Sequence, residues 1–391
     1  MAMDTGDHVS ALPQFVASRI ESFQRSRMGE EWGGRHLLHG ASPTPDGLRL
    51  SSNDYLCLSN ERSLQQAQIN ALHKTAAHVL MSPVFQDERS ATRRLESALA
   101  HYAGVSDSIL CQSGWVANTG LLQAIADERT PVYLDHLAHM SLWYGARAVG
   151  APVFPFRHNN AESLRQKIRS TGPGIIAVDA IYSTNGSLCE LADIAVVSSE
   201  TQCVLVVDES HSLGVFGSGG ATVTQTLKLE EHVHFITVSL AKAFAGRAGL
   251  VGCPKRFKDY FMMAAYPVCF SSALLDHELA WIEAALRKLR KVEDRRVHLH
   301  AISSRVRQAL QHAEIPMSPG TQQIIALEGG SESQTMRLRD ALESEGIYGS
   351  VFCAPATPRR HALIRLSLHS GVTQDQADTL VRRCVDVWHR S

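Results

Sequence analysis

The sequence predicts an α/β fold built on a mainly parallel sheet, with a second, smaller domain behind it. Three observations carry this reading. From about residue 108, short apolar runs (108–111, 131–134, 175–178, 204–207 and 233–238) alternate with helix-like stretches, the pattern of successive βαβ units. Polar residues close these runs: Asp135, Asp179, Asp208 and Ser239 each follow an apolar stretch, and the carboxyl ends of parallel strands are where such sheets hold ligands. A charged, helix-like stretch at 276–312 then ends the alternation and opens the second domain.

The elements follow in order. Residues 10–30 have the spacing of an amphipathic helix and stop at the break Gly33-Gly34. Residues 60–105 are polar and helix-like up to Gly104. The five apolar runs come next. After 276–312 the chain reads as a strand at 323–327, a helix near 334–345, a strand at 363–368 and a last helix from Thr373. No repeat or low-complexity tract interrupts it. The division expected is an N-terminal helix and arm over 1–50, a large domain over 51–280 and a small α+β domain over 281–391, and a chain of 391 residues can fill two cores.

Composition excludes several classes. Hydrophobic residues make up 44% and charged residues 20%, with a net charge of −1, so no basic field is available for nucleic acid. No apolar run reaches transmembrane length, and Met1-Ala2-Met3-Asp4 opens without a secretory pattern. The eight cysteines form no Cys-x-x-Cys pair, which argues against a zinc site and a disulfide framework. A cytoplasmic protein without a metal, and without stable membrane insertion, is expected.

Chemistry concentrates at two strand ends. Val204-Leu205-Val206-Val207 runs into Asp208-Glu209-Ser210-His211, and Phe235-Ile236-Thr237-Val238 runs into Ser239-Leu240-Ala241-Lys242. An acid, a histidine, a serine and a lysine delivered this way suit pyridoxal 5'-phosphate (PLP). The lysine would hold the aldehyde as a Schiff base, and a buried Asp208 would keep the ring nitrogen protonated, which makes the ring a strong electron sink. Capping of the next helix is the alternative for Asp208. Lys242 is flanked by small and apolar residues, unlike a surface lysine, and burial would lower its pKa and make it nucleophilic. Gln112-Ser113-Gly114-Trp115 looks like a turn opening a helix, where Ser113, Gly114 and the Trp115 amide could bind the phosphate with Ser239. His139, or its neighbour His136, could stack on the ring. His211 could reach the phenolic oxygen. The run from Gly214 to Gly220 is a loop shaped for close approach and weak evidence for phosphate binding. Arg365 is a charge inside a strand and could hold a substrate carboxylate or a structural ion pair. The apolar stretch Phe261-Met262-Met263-Ala264-Ala265-Tyr266-Pro267 reads as core, with an acyl tunnel as the alternative.

With these residues assembled, the chain resembles the α-oxoamine synthases, fold-type I PLP-dependent transferases of the aspartate aminotransferase-like fold that join an amino acid to an acyl-CoA. The resemblance runs from Ser52-Asn53-Asp54-Tyr55-Leu56 to the C-terminal strand, and the Asp208-Glu209-Ser210-His211 and Ser239-Leu240-Ala241-Lys242 blocks are its most specific parts. It implies a large domain with a seven-stranded sheet. It also implies Lys242 as the Schiff-base lysine, Asp208 as the nitrogen partner, His139 as the stacking histidine, and His211 and Ser183 as cofactor contacts. Arg365 would hold the substrate carboxylate, with Asn53 and Tyr55 beside it. Ser271 and Ser272 match a segment that reaches the phosphate from the neighbouring subunit, which implies a homodimer with active sites at the subunit interface.

A narrower likeness lies in Leu110-Cys111-Gln112-Ser113-Gly114-Trp115, Ala138-His139-Met140-Ser141-Leu142-Trp143, Ile181-Tyr182-Ser183-Thr184 and Gly349-Ser350-Val351-Phe352-Cys353-Ala354-Pro355-Ala356-Thr357. These resemble the CqsA/LqsA-type synthases of quorum-sensing autoinducers. At Met81-Ser82-Pro83-Val84-Phe85 the chain departs from the Gly-rich segment of many family members, which fits the autoinducer group better than a biotin or haem pathway. The resemblance implies decarboxylative condensation of a small amino acid, such as 2-aminobutyrate or S-adenosylmethionine, with a medium- or long-chain acyl-CoA. The product is an α-aminoketone, precursor of an α-hydroxyketone signal. An 8-amino-7-oxononanoate synthase-like or serine palmitoyltransferase-like enzyme is the near alternative, and a PLP-binding regulatory module the distant one.

Overall fold

The computed structural model describes residues 12–74 and 81–390. The N-terminal residues read for a secretory pattern, residues 10–11 of the first expected helix, residues 75–80 of the expected helical stretch 60–105, and residue 391 lie outside the described residues.

Twelve strands are present among the described residues: β1 (Leu48–Arg49), β2 (Asp107–Cys111), β3 (Val132–Asp135), β4 (Val153–Phe156), β5 (Ile175–Asp179), β6 (Val204–Asp208), β7 (Phe235–Ser239), β8 (Gly249–Cys253), β9 (Ile324–Gly330), β10 (Ile347–Tyr348), β11 (Ser350–Phe352) and β12 (Ala362–Ser367). Seven of them form the main sheet, in the order β2-β8-β7-β6-β5-β3-β4. All pairs are parallel except those of β8, which runs antiparallel to β7 and to β2. The two reversals cancel. β2 therefore points the same way as β7, and the carboxyl ends of β2, β3, β5, β6 and β7 share one edge of the sheet. The central strands are apolar up to their last residue because helices cover both faces: every residue of β5 is buried, as are the last four of β6.

Each expected strand of the main sheet is found, moved by one or two residues. Two strands carried no readable signal. Edge strand β4 contains Pro155, which lacks the amide that a central strand must donate. β8 is Gly249-Leu250-Val251-Gly252-Cys253, and its glycines mark close approaches. A Cβ on Gly249 would stand 2.1 Å from the Ser113 carbonyl oxygen, and one on Gly252 would stand 2.6 Å from Ile236 Cγ1. Backbone cannot yield as a side-chain tip can. Gly249→Ala is expected to destabilise the protein by about 1–3 kcal/mol, measured as a lower midpoint in urea; an unchanged midpoint would refute the close-packing account.

The expected first helix is an α-helix, Gln14–Ser22, continued by a π-helix, Phe23–Glu31, and neither buries a residue fully. It is tied to the C-terminal part of the chain. Arg27 Nη2 donates to Glu332 Oε1 at 2.6 Å, and Trp32 Nε1 donates to Glu332 Oε2 at 2.7 Å. β1 pairs in parallel with β10. The stretch 276–312 is two helices, Asp276–Leu289 and Glu293–His312. The first of them packs on the helices Arg62–Leu72 and Ala91–Ala103, beside the main sheet. The smaller sheet is antiparallel, in the order β11-β12-β9. Among the described residues no helix is long and apolar enough to cross a membrane.

Candidate active site

The shared carboxyl edge opens into a cleft of about 500 Å³ whose lining includes Lys242, His139, His211, Asn53, Ser183 and Arg365. A smaller chamber of about 60 Å³ continues beneath it, between Gly114, Asp179, Asp208, Ser239 and Lys242. Strand β7 ends at Ser239 and turns tightly, which brings Lys242 over the edge. No hydrogen bond or salt bridge ties up its amine among the described residues. Burial lowers the Lys242 pKa, and Arg365 lowers it further, against the pull of Asp208 and Asp179. A half-buried amine without a partner is costly to keep, and this is the arrangement that makes lysine a base and nucleophile.

Asp208 closes β6, is buried at 5% exposure, and is held by what surrounds it. Its Oδ2 accepts from Asn118 Nδ2 at 2.7 Å, and its Oδ1 accepts from the Ser210 amide at 2.9 Å. No regular helix starts at this turn, so capping does not account for the aspartate. Asn118 also donates to Ser141 Oγ at 2.8 Å and accepts from Thr237 Oγ1 at 2.5 Å. It links four elements, yet sequence reading passed over it. The available signal was its place four residues after Gly114, on the same helix face. Asp179 closes the neighbouring strand in register with Asp208. Burial raises its pKa well above the usual carboxylate range, and the charge of Asp208 adds to this. Its Oδ1 accepts the His139 amide at 3.0 Å.

His139 and His136 both line the cleft, and of the two only His139 also lines the smaller chamber. His139 caps the helix Met140–Ala148 and has Nδ1 at 2.7 Å from Ser141 Oγ. Burial, helped by Lys242, keeps its pKa low against the pull of Asp208. His211 is buried with Nδ1 at 2.7 Å from the Tyr55 hydroxyl. Burial and the charges of Lys242, Arg365 and His139 hold its pKa well below that of a free histidine. Arg365 is 4% exposed. Its Nη1 donates to the Ser183 carbonyl at 2.8 Å, its Nη2 donates to Asn53 Oδ1 at 2.6 Å, and its Nε has no partner. No carboxylate among the described residues pairs with it, although it faces the cleft and its guanidinium lies 4.7 Å from the centre of the Phe352 ring. The structural ion pair that sequence left open is therefore absent there.

The residues present fit PLP. Gly114 starts the helix Gly114–Ile125, whose first amides have no intrahelical acceptor. A Cβ on Gly114 would stand 2.5 Å from Ser239 Cβ, so glycine alone lets the helix end sit against the serine. The cradle for an anion, the buried carboxylate and the unpartnered amine face one chamber.

Other expected contacts fall elsewhere. Ser113 spends its hydroxyl capping the helix, accepting from the Val116 amide at 3.2 Å, and stays out of both linings. Tyr55 is fully buried, its hydroxyl meets His211 Nδ1 and Asn53 Oδ1, and it is in neither lining. Ser183 lines the cleft but not the smaller chamber, and its backbone carbonyl accepts from Arg365. Ser271 and Ser272 lie outside the cleft of their own chain, in a surface hollow with Met81, Phe85, Met263 and Phe270. The glycine loop from Gly214 to Gly220 is also absent from both linings. Gly220 is there because a Cβ would meet the Tyr102 hydroxyl at 2.5 Å. Phe261 and Ala265 are core residues against the helix Gly114–Ile125.

Comparison with known proteins gives the same answer from another direction. Residues 45–384 match the family described as aminotransferase class I and II. The chain is 40% identical to the CAI-1 autoinducer synthase of Vibrio campbellii, over 97% of this chain and 96% of that one. It is 29% identical to a putative 8-amino-7-oxononanoate synthase of Glaesserella parasuis, covering 85% and 90% of the two chains. With the serine palmitoyltransferase of Caulobacter vibrioides it shares 28%, covering 85% and 83%. Among solved structures, Sphingomonas wittichii serine palmitoyltransferase superposes with a TM-score of 0.83 at 22% identity, covering 98% of each chain. A serine palmitoyltransferase with PLP as an internal aldimine gives 0.81 at 23%, covering 88% of each chain. The fold is therefore the fold-type I transferase fold, and the chain belongs to the aminotransferase class I and II family, within it to the α-oxoamine synthases.

Proposed function

We propose that this protein is a PLP-dependent acyltransferase that condenses a small α-amino acid with a medium- or long-chain acyl-CoA and releases carbon dioxide. The product is an α-aminoketone, precursor of an α-hydroxyketone autoinducer. The observation that carries this is the partnerless, low-pKa amine of Lys242 in a cleft whose far wall holds Arg365 without a carboxylate partner. The relation to the CAI-1 autoinducer synthase supports the class of product.

Bound here, PLP supplies an electron sink that stabilises the carbanion left when the amino donor loses its α-proton. Asp208 holds a proton on the ring nitrogen, and Asn118 keeps that carboxylate oriented. The amides of Gly114 and Trp115, with the Ser239 hydroxyl, hold the phosphate. His139 would hold the ring, and His211, positioned by Tyr55, would hydrogen-bond to its phenolic oxygen. Arg365 takes the donor carboxylate in two parallel hydrogen bonds. Lys242 removes the α-proton and later returns one. A new carbon–carbon bond forms as the thioester expels CoA, and the carboxyl group leaves as carbon dioxide.

Arg365→Lys retains the charge and loses the fork. It is expected to raise KM for the amino donor about 10- to 100-fold with a smaller fall in kcat, read from donor saturation curves. Wild-type KM in the variant would remove Arg365 from substrate binding. The reaction itself is tested by mass spectrometry of products from paired acyl-CoAs and amino acids. Long-chain aminoketones from a small donor other than serine support the proposal, whereas a product spectrum restricted to 8-amino-7-oxononanoate or to palmitoyl transfer onto serine points to the two related synthases.

A homodimer with active sites at the subunit interface is part of the same proposal. Phe270 and Met263 are 81% and 71% exposed beside Ser271 and Ser272, an apolar surface that a second copy would cover while bringing its serines to the phosphate. The divisions 1–50, 51–280 and 281–391 and a cytoplasmic location also stand as proposals, the latter supported by eight free thiols.

A further inference from the structure

A second set of groups runs along the same edge of the sheet. Asp135 closes β3 and is 1% exposed. Its carboxylate accepts from the amides of Leu137 at 2.9 Å and Asn159 at 3.0 Å, and lies 3.1 Å from His158 Nδ1. Burial pushes its pKa up, but His158 and the two amides outweigh this and keep it below the usual carboxylate value. A carboxylate can only accept, so Nδ1 carries the proton. At the other side of the ring, His158 Nε2 faces Ser187 Oγ at 2.9 Å. The ring is fixed edge-on against Tyr182, 4.4 Å between centroids. The His158 amide also donates to His136 Nδ1 at 2.9 Å.

The order aspartate, histidine, serine is that of a hydrolase nucleophile, but the serine is not presented to anything. Ser187 is 7% exposed, lies 2.8 Å from Asn185 Oδ1, and lines neither the cleft nor the adjoining cavity of about 380 Å³ that His136, His158 and Thr184 border. What the three residues do is join loops. Asp135 secures the start of the loop that carries His139. Ser187 ends the loop that carries Ser183, whose carbonyl receives Arg365. His158 spans the gap between them.

We propose that His158 is a positioning residue, a brace whose two ring nitrogens set the distance between the His139 side and the Ser183–Arg365 side of the site. The inference rests on the functional reading above for what lies between those sides.

Three substitutions cut the brace at two points. Asparagine at 158 places an amide near Nδ1 and keeps the Asp135 link alone; glutamine reaches towards Nε2 and keeps the Ser187 link alone. Ser187→Ala removes one oxygen and repeats the first cut with little risk to folding. His158→Asn and Ser187→Ala are expected to raise KM for the amino donor about 2- to 10-fold, the effect of one displaced hydrogen-bond network, with kcat nearly kept. His158→Gln is expected to change the visible circular dichroism of bound PLP, because the His139 loop is released. In the wild-type protein, with or without PLP, ¹⁵N NMR is expected to show a proton on Nδ1 of His158. Wild-type KM and dichroism in all three variants, or a proton on Nε2 alone, would overturn the brace. A wild-type protein that gives no visible PLP band would instead sink the functional reading, and the tautomer would still decide the brace.

Discussion

Lys242→Ala is expected to abolish the visible band of covalently held PLP and to lower kcat at least about 1,000-fold, since one residue serves as tether and as proton carrier. The geometry leaves no substitute. The other groups around the site are two arginines, carboxylates and three histidines, and burial lowers the pKa of His139 and of His211. Stability is expected to move the other way. The lysine pKa is lowered in the folded protein, so burying the charged amine costs stability at every pH below the folded pKa, and the alanine variant is relieved of that cost. Absorbance after dialysis with PLP, product formation and a thermal melt at neutral pH make one experiment. Turnover retained in the variant would defeat the assignment of Lys242, and activity lost together with a collapsed melting temperature would show a structural role instead.

Asp208→Asn is the second large effect. The substitution keeps the shape and can keep the contact to Asn118 by turning its amide, but it removes the charge that holds a proton on the ring nitrogen. A fall in kcat of roughly 100- to 10,000-fold is expected while PLP still binds, the scale set by losing electrostatic support for a developing carbanion in a buried site. Two neighbouring groups report the same change. Asp179 loses the charge that helps raise its pKa, so that pKa moves down; His139 loses the charge that pulls its pKa up, so that pKa falls further. Steady-state kinetics of the reconstituted variant, with NMR titration of His139, check both parts. A variant with wild-type kcat would remove Asp208 from the chemistry.

Much of this site was legible because its reactive groups stand at the ends of apolar runs, where sheet geometry collects them. Asp208, Ser239 and Lys242 could be placed from that pattern alone. His139, His211 and Arg365 were read with alternatives that the resemblance narrowed, and the structure brings all three to the cleft. What sequence missed acts through orientation rather than chemistry. Asn118, Ser141 and Thr237 touch Asp208 or one another, and single polar residues of this kind look like ordinary helix and strand positions. His158 belongs to the same group. Tyr55 was expected beside the substrate from the resemblance and Ser113 at the phosphate from its place at a helix start; in the structure the Tyr55 hydroxyl meets His211 and the Ser113 hydroxyl caps the helix. Strands β4 and β8 were missed because proline and glycine weaken the local strand signal, although close backbone contact in β8 requires its glycines.

The place of β8 has a consequence for biosynthesis. β2 leads into the helix Gly114–Ile125 and is the first strand of the main sheet to leave the ribosome, yet its neighbour in that sheet is β8, the last. The growing chain must carry β2 with an unsatisfied edge until Gly249–Cys253 has emerged, a state open to wrong pairing and suited to chaperone protection. Lys242 is made before that closure and the helix end long before it, but neither faces the other until β8 is inserted between their strands. Capture of PLP is therefore a late event, and a chain that holds it has passed a checkpoint on the completeness of its own sheet.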